Sequence, residues 1–443
     1  MKSQKEGLSV TQRWLIVLVG IPLGFGIGCL LGRSGQCSSS PDHAAADNRP
    51  KVELNKVLTN DKSDVAALHE MDERIERYLK RWEIRGASIA VSRNDSLVYA
   101  KGYGWADEER GERMEPGRLL RVASVSKLLT AAGIMKLVDE GRLHLSDKVF
   151  GAQGLLNDTA YTNAVTDKRV FDITVEQLLR HKGGFGNGAG DPMFSTRIIM
   201  MQNHLTTPPD NHQLTRIILR RRLSYTPGEG NTYSNFGYML LSQIIERVSG
   251  QPYEQFMCER LFAPAGCHDF HLARNYYENK RPNEVRYYMH NTATPSLEFN
   301  NSGRMVVRCY GENDIEHLNG AGGWCASAPE LCRFIAAIDG RKGVDDVLSA
   351  ESVGLMTEDR HDEHAFSLGW NKTPKNGPWV RTGTLVGTSA LVVLFPDCEC
   401  WVMITNTSTW RGHAFAKETV GFFDKLRQKY GQQFPKRSLW PMD

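Results

Sequence analysis

At 443 residues the chain is long enough for one large domain or two intimately packed lobes. Its 54 Lys and Arg against 51 Asp and Glu leave a net charge of only +3, which supplies no basic stripe and excludes nucleic acid as a partner. Nine cysteines are an odd number, so at least one stays unpaired, and none has zinc-finger spacing.

Residues 1–13 read as a short cytoplasmic N-terminus and 14–32 as a transmembrane anchor or signal segment: Trp14 to Leu31 is apolar, eighteen residues long and bounded by Arg13 and Arg33. Lys2, Lys5 and Arg13 precede it, which keeps the N-terminus inside and predicts that the rest lies outside the cytoplasm, on the periplasmic side. A cleaved signal peptide followed by secretion is the alternative. Cys29 makes a poor lipoprotein site because Leu30 and Leu31 continue the apolar run. Residues 33–66, polar and without apolar periodicity, are expected to be a flexible tether.

The catalytic domain is expected over 67–432, with 433–443 as a C-terminal tail. It opens on a helical stripe of Leu68, Met71, Ile75, Tyr78, Leu79 and Trp82. Ala87–Arg93 and Leu97–Gly104 predict a hairpin turning at Asn94-Asp95. Ser124 then leads a run through Lys127, Leu128, Leu129, Ala132, Ile134, Met135, Leu137 and Val138 that is too apolar for a surface helix and stops at Gly141. Residues three apart share a helix face, so the Lys127 amine can approach the Ser124 hydroxyl. Burial would lower the lysine pKa and make it a base for a serine nucleophile. A Ser-x-x-Lys spacing arises by chance about twice in a chain this long, so its weight comes from its company.

That company is in the second half of the chain. Tyr225-Thr226-Pro227-Gly228 and Asn231-Thr232-Tyr233-Ser234-Asn235 precede an apolar helix from Phe236 to Val248, ending at Gly250. Tyr233 could relay a proton, and the Asn235 amide could hold Lys127 and a substrate carbonyl; Ser234 or Asn235 also suits the helix N-cap. Trp379 to Thr384 reads as a strand whose Gly383 lets a ligand backbone approach, whose Thr384 N–H is an oxyanion donor beside that of Ser124, and whose Arg381 charges the wall of the site. Ala390–Phe395 and Trp401–Asn406 form a second hairpin, and Phe415–Tyr430 a last helix. Strands at both ends and helices between predict an α+β arrangement: an antiparallel sheet flanked by terminal helices, with an inserted, mainly helical lobe and the site between them.

With Ser124-Val125-Ser126-Lys127, Tyr233-Ser234-Asn235 and Arg381-Thr382-Gly383 in this order, the chain resembles the serine beta-lactamase and penicillin-binding family, in its class C beta-lactamase, DD-peptidase and esterase branch. The likeness extends to Gly102-Tyr103-Gly104, Ile173 to His181, Gly322-Gly323-Trp324, Leu368-Gly369-Trp370 and Phe395-Pro396-Asp397, roughly residues 67 to 430. It implies the beta-lactamase/transpeptidase-like fold. It also implies Ser124 as acylated nucleophile, Lys127 as base, Tyr233 as proton relay, Asn235 as the orienting amide and Arg381-Thr382-Gly383 as the strand motif. Two departures bear on substrate rather than reaction: Arg381 stands where the family usually has Lys or His, and His181-Lys182-Gly183-Gly184-Phe185 replaces a more usual His-Thr-Ser-Gly-Leu. Arg is planar and essentially never neutral, so it could bind a substrate carboxylate but cannot act as a base.

The expected function is therefore a membrane-anchored, exported serine hydrolase acting on an ester, amide, D-alanyl peptide or beta-lactam. An acyltransferase to a hydroxylated acceptor and a non-turning-over penicillin-binding protein or sensor are the alternatives. The partners are a small-molecule or peptidyl acyl substrate and the membrane, with the oligomeric state left open. No cofactor and no metal are expected: His361-Asp362-Glu363-His364 departs from the helical His-Glu-x-x-His pattern and reads as a solvated loop, and Gly183 to Gly190 lacks the lysine of a phosphate cradle and reads as a mobile loop at the cleft rim. Thr174 and Gln177 form a capping box just before it.

Overall fold

The computed structural model describes residues 54–188, 190–290, 293–358 and 366–440. The apolar segment 14–32, Cys29 and His361 to His364 lie outside the described residues. Among those described, no helix is long and apolar enough to cross a membrane.

Helix α1 (His69–Arg81) leads into strands β1 (Gly86–Arg93), β2 (Ser96–Asp107) and the short β3 (Glu112–Arg113). The β1–β2 turn is Asn94-Asp95, both with positive φ, at 45° and 60°, a conformation these residue types tolerate better than most. Helix α2 (Ser126–Asp139) follows, then α3 (Asn235–Ser249) and α4 (Ala328–Ala336). Strands β4 (Trp379–Leu385), β5 (Thr388–Leu394), β6 (Glu399–Thr405) and helix α5 (His413–Tyr430) close the chain. The sheet is antiparallel in the order β3-β2-β1-β6-β5-β4, so the two hairpins meet through β1 and β6, with Ala87 opposite Thr405 and Val91 opposite Trp401. Strand β4 lies at the edge.

Strand alternation divides the core in two. Ile89, Val91, Leu391, Val393, Trp401 and Met403 point to one face, where α1 and α5 cover them and Tyr78 stacks on Phe422 at 4.1 Å. Ala90, Ala390, Val392, Val402 and Ile404 point to the other, against α2, α4 and the helical lobe. Both faces are thus buried, and each fully buried large aliphatic side chain contributes about 1.5–3 kcal/mol. The lobe between the sheet halves is helical, as expected, and includes Val175–Leu179, Asn211–Leu219 and α3. Thr174 and Gln177 form the reciprocal capping box at its entrance.

The domain begins earlier than the sequence suggests. Residues 54–66, expected as the end of a tether, fold into short helical turns with Leu54 and Leu58 buried. Ser63 Oγ accepts from the Ala100 N–H and Asn60 Oδ1 from the Gly102 N–H, so this segment satisfies the outer side of β2. At the other end the Trp440 indole donates to the Asp95 carbonyl at 2.8 Å, which ties part of the expected tail to the first hairpin. The seven cysteines among the described residues are free thiols.

Candidate active site

Ser124 lies in a single tight turn, Ala123–Val125, just ahead of α2. The turn is anchored by the Val122 N–H to the Trp324 carbonyl at 2.9 Å and by the Trp324 N–H to Ser126 Oγ at 3.1 Å. Ala123 has φ of 49°, a left-handed conformation that costs a non-glycine residue about 1 kcal/mol and turns the next side chain out of the core. Ser124 is accordingly half-buried while Val125, Ser126 and Lys127 are buried.

The Lys127 amine sits 3.4 Å from Ser124 Oγ. It donates to Asn235 Oδ1 at 2.6 Å and to the Ala321 carbonyl, and lies 4.8 Å from the centre of the Tyr233 ring. Burial lowers its pKa; the neighbouring Tyr233 and Asp191 oppose that shift and Arg381 adds to it.

Tyr233 and Asn235 flank the N-terminus of α3. The N-cap is Ser234, whose Oγ accepts from the Gly237 N–H at 3.0 Å; Gly250, with φ of 74°, ends the helix. The Tyr233 main chain is held on both sides, by Asn187 Nδ2 donating to its carbonyl at 2.8 Å and by the Ser234 N–H donating to His181 Nδ1 at 3.0 Å. Burial alone would raise the phenol pKa, but the positive charges of Lys127 and Arg381, with hydrogen bonds to Lys127 and Ser124, bring it down to about 8. The His181 ring lies 4.5 Å from that of Tyr233, with Tyr238 and Phe366 on its other sides. Burial, then the charges of Lys127 and Arg381, keep this imidazole well below its usual pKa. It is a neutral platform under Tyr233.

Strand β4 closes the site. Arg381, Gly383 and Leu385 face inward and are buried, whereas Thr382 is half-buried and Thr384 exposed. Val380 N–H donates to the Lys372 carbonyl and Thr382 N–H to Asn371 Oδ1 at 2.7 Å, both away from β5; the Thr384 N–H, two residues on, points the same way, to the open edge beside the Ser124 turn.

Three placements differ from the sequence reading. Arg381 was expected on the wall of the site with its charge available; it is 1% exposed, and its Nε and Nη2 donate to the Ser124 main-chain carbonyl, with Nη2 also 3.5 Å from the Tyr233 hydroxyl. Gly383 was expected to admit a ligand backbone; what approaches it is the Ser124 turn, since a Cβ there would meet the Val122 carbonyl oxygen and lie 2.8 Å from the Ser124 nitrogen and 3.0 Å from that of Val125. The Asn235 amide was expected to hold Lys127 and a substrate carbonyl; Oδ1 does accept from Lys127, but Nδ2 donates to Asp191 Oδ2 at 2.7 Å. Ser124, Lys127, Tyr233, Asn235, Arg381, Thr382 and Gly383 thus come together, with Thr384 at the rim. Asp191 carries no motif and was not anticipated. Asn371 follows the Leu368-Gly369-Trp370 stretch, the nearest signal to it in the sequence.

The Beta-lactamase family profile matches residues 71–420. Protein flp of Staphylococcus aureus (strain N315) is 30% identical over 246 residues, covering 55% of this chain and 45% of flp, so the chain spans about half of that relative's length. PbpX of Bacillus subtilis (strain 168), assigned as a penicillin-binding protein, is 27% identical over 350 residues, 77% of each chain. Among solved structures, D-amino acid amidase from Ochrobactrum anthropi SV3 superposes with a TM-score of 0.62 at 18% identity, over 83% of this chain and 99% of that one. With the fold shared and four-fifths of its length matched, the chain belongs to the Beta-lactamase family.

Proposed function

We propose that this protein hydrolyses a small-molecule or peptidyl acyl substrate through an acyl-enzyme at Ser124. The observation that carries the reading is the solvation of Lys127. A neutral amine has two N–H groups and one lone pair. Asn235 Oδ1 and the Ala321 carbonyl accept the two N–H groups, which leaves the lone pair on the side of the Ser124 and Tyr233 hydroxyls. As Oγ attacks the acyl carbon, its proton passes to Nζ, the carbonyl becomes an oxyanion, and the Ser124 and Thr384 N–H groups are the donors positioned to receive it. The proton then reaches the departing group through Tyr233, whose hydroxyl is bonded to both Lys127 and Ser124 and whose lowered pKa suits it to transfer in both directions. Water repeats the sequence in reverse to release the acyl group.

The commitment of Arg381 to the Ser124 carbonyl bears on substrate choice. Arg381 is 1% exposed and spends Nε and Nη2 on the Ser124 carbonyl, so little of its guanidinium is left on the wall of the site to receive a substrate carboxylate. This favours esters and amides without a carboxylate beside the scissile bond over D-alanyl peptides and beta-lactams. Membrane anchoring through residues 14–32, with the domain exported, completes the reading and rests on the sequence pattern.

Intact-protein mass spectrometry over time tests it, with a fluorophosphonate, a penicillin and a p-nitrophenyl ester offered to wild type and Ser124→Ala. A Ser124-dependent adduct that decays with product release is expected from the ester. Turnover by Ser124→Ala at the wild-type rate would refute the assignment, and a persistent penicillin adduct without release would replace hydrolysis by a binding or sensing role.

A further inference from the structure

We infer that Asp191 is a positioning residue for the Ser124–Lys127 pair: its carboxylate decides which end of the Asn235 amide faces Lys127, and so keeps the lysine lone pair directed at the Ser124 hydroxyl. The inference rests on the acyl-enzyme reading above.

The two ends of a carboxamide are alike in shape and opposite in chemistry, since Oδ1 only accepts and Nδ2 only donates. Asn235 bridges two partners, Lys127 Nζ at 2.6 Å and Asp191 Oδ2 at 2.7 Å. A carboxylate only accepts, so Nδ2 must face Asp191 and Oδ1 must face Lys127. The reversed amide would aim its oxygen at the carboxylate and an N–H at Nζ. That N–H would claim the lone pair, and the Ser124 hydroxyl would lose the group that takes its proton.

Asp191 is itself held in place. It is the N-cap of the turn Pro192–Phe194; its Oδ1 accepts from the Met193 N–H at 2.9 Å and its main-chain carbonyl from Ser195 Oγ at 2.7 Å. With Oδ1 occupied by its own turn, Oδ2 is left for Asn235. The charge also acts directly. Lys127 is faced by Tyr233 and Tyr238 from the start of α3, by Arg381 from β4, by the neutral His181 ring and by Asp191. Asp191 is the carboxylate in this group, and it favours the protonated lysine against the effect of burial and of Arg381.

Asp191→Asn tests both consequences, since Asn remains a good N-cap and the turn is preserved. The readouts are p-nitrophenyl ester hydrolysis as a function of pH and the burst amplitude, which counts competent sites. Loss of the lock is expected to lower kcat/KM per competent site by about 100-fold, the cost of misplacing a catalytic group by about an ångström. Loss of the negative charge is expected to move the acid limb of the kcat/KM profile to lower pH. Asp191→Ser, which also keeps a capping oxygen but no charge, should shift the limb in the same direction and serves if Asp191→Asn folds poorly. A kcat/KM within twofold of wild type, or a reduced value with the acid limb unmoved, would overturn the inference. If Ser124→Ala retains turnover, the functional reading fails first; if only the Asp191 variants behave as wild type, this inference alone fails.

Discussion

The guanidinium of Arg381 closes on the main-chain carbonyl of Ser124, with Nε 2.8 Å away, although the two residues are 257 positions apart. The cation of the strand motif therefore supports the Ser124 turn from behind and polarises the Tyr233 hydroxyl 3.5 Å from Nη2.

Replacing it by an apolar side chain separates these effects. Arg381→Met leaves the Ser124 carbonyl without its donors and is expected to cost about 1–3 kcal/mol in urea unfolding. Because Arg381 is one of the charges that hold the Tyr233 phenol down at about 8, that ionisation should also move up. Ultraviolet titration, with Tyr233→Phe to identify the phenol, reads the shift; an unchanged midpoint would show that the charge does not act on Tyr233.

Lys127→Met should remove the base without emptying the space it fills. Acylation by a p-nitrophenyl ester is expected to slow by about 10²–10⁴-fold, the range for loss of a positioned general base. In wild type the sign follows from the lowered lysine pKa: the neutral amine is the active form, so activity should fall as pH drops through that pKa. A burst rate that survives in Lys127→Met would move the base role to Tyr233.

Gly383→Ala probes the contact between β4 and the nucleophile turn. The added methyl would meet the Val122 carbonyl oxygen first and then the Ser124 nitrogen at 2.8 Å, closer than a Cβ tolerates, and these neighbours are backbone that cannot swing aside. Overpacking of this kind costs about 1–3 kcal/mol. The acylation rate should fall further than stability predicts, because the displaced backbone is the turn that carries Ser124; calorimetry and burst kinetics on one preparation compare the two losses.

Two buried carboxyls should give the fold an unusual pH dependence. Burial raises Glu330 to about 7, against the His268 and Asp269 N–H groups that it accepts, and raises Asp339 to about 7 beside the charge of Asp95. A carboxyl whose folded pKa lies above its unfolded one binds more protons when folded. Stability is therefore greatest at the acid end and lost as pH rises from about 4.5 through 7, by about 3 kcal/mol for Glu330. Urea midpoints at pH 5 and pH 8 should differ in that direction, and Glu330→Gln should reduce the difference. A midpoint that rises with pH across this window would contradict the assignment.

Much of the site was legible because its signals are local. The apolar run after Ser124, the Ser234 cap and Gly250 stop around α3, the Thr174–Gln177 box and the Asn94-Asp95 turn each depend on residues within about one helical turn or one hairpin, and the chain writes these down directly. Lys127 beside Ser124 follows from helix geometry alone. What tertiary structure decided is where each side chain is spent. Alternation along β4 sends Arg381 and Gly383 inward, but only the antiparallel register with β5 and the seating of that edge strand on the Ser124 turn bring the guanidinium to a carbonyl rather than to the cleft. Asp191 reaches Asn235 across 44 residues and His181 reaches Ser234 across 53, through loops with no periodicity to announce them. The sequence by itself determined the order of the motifs and that Ser124 and Lys127 share one helix start. The partners that orient them were decided by packing between distant segments, because a hydrogen bond needs its two groups within about 3 Å and no spacing along the chain specifies that.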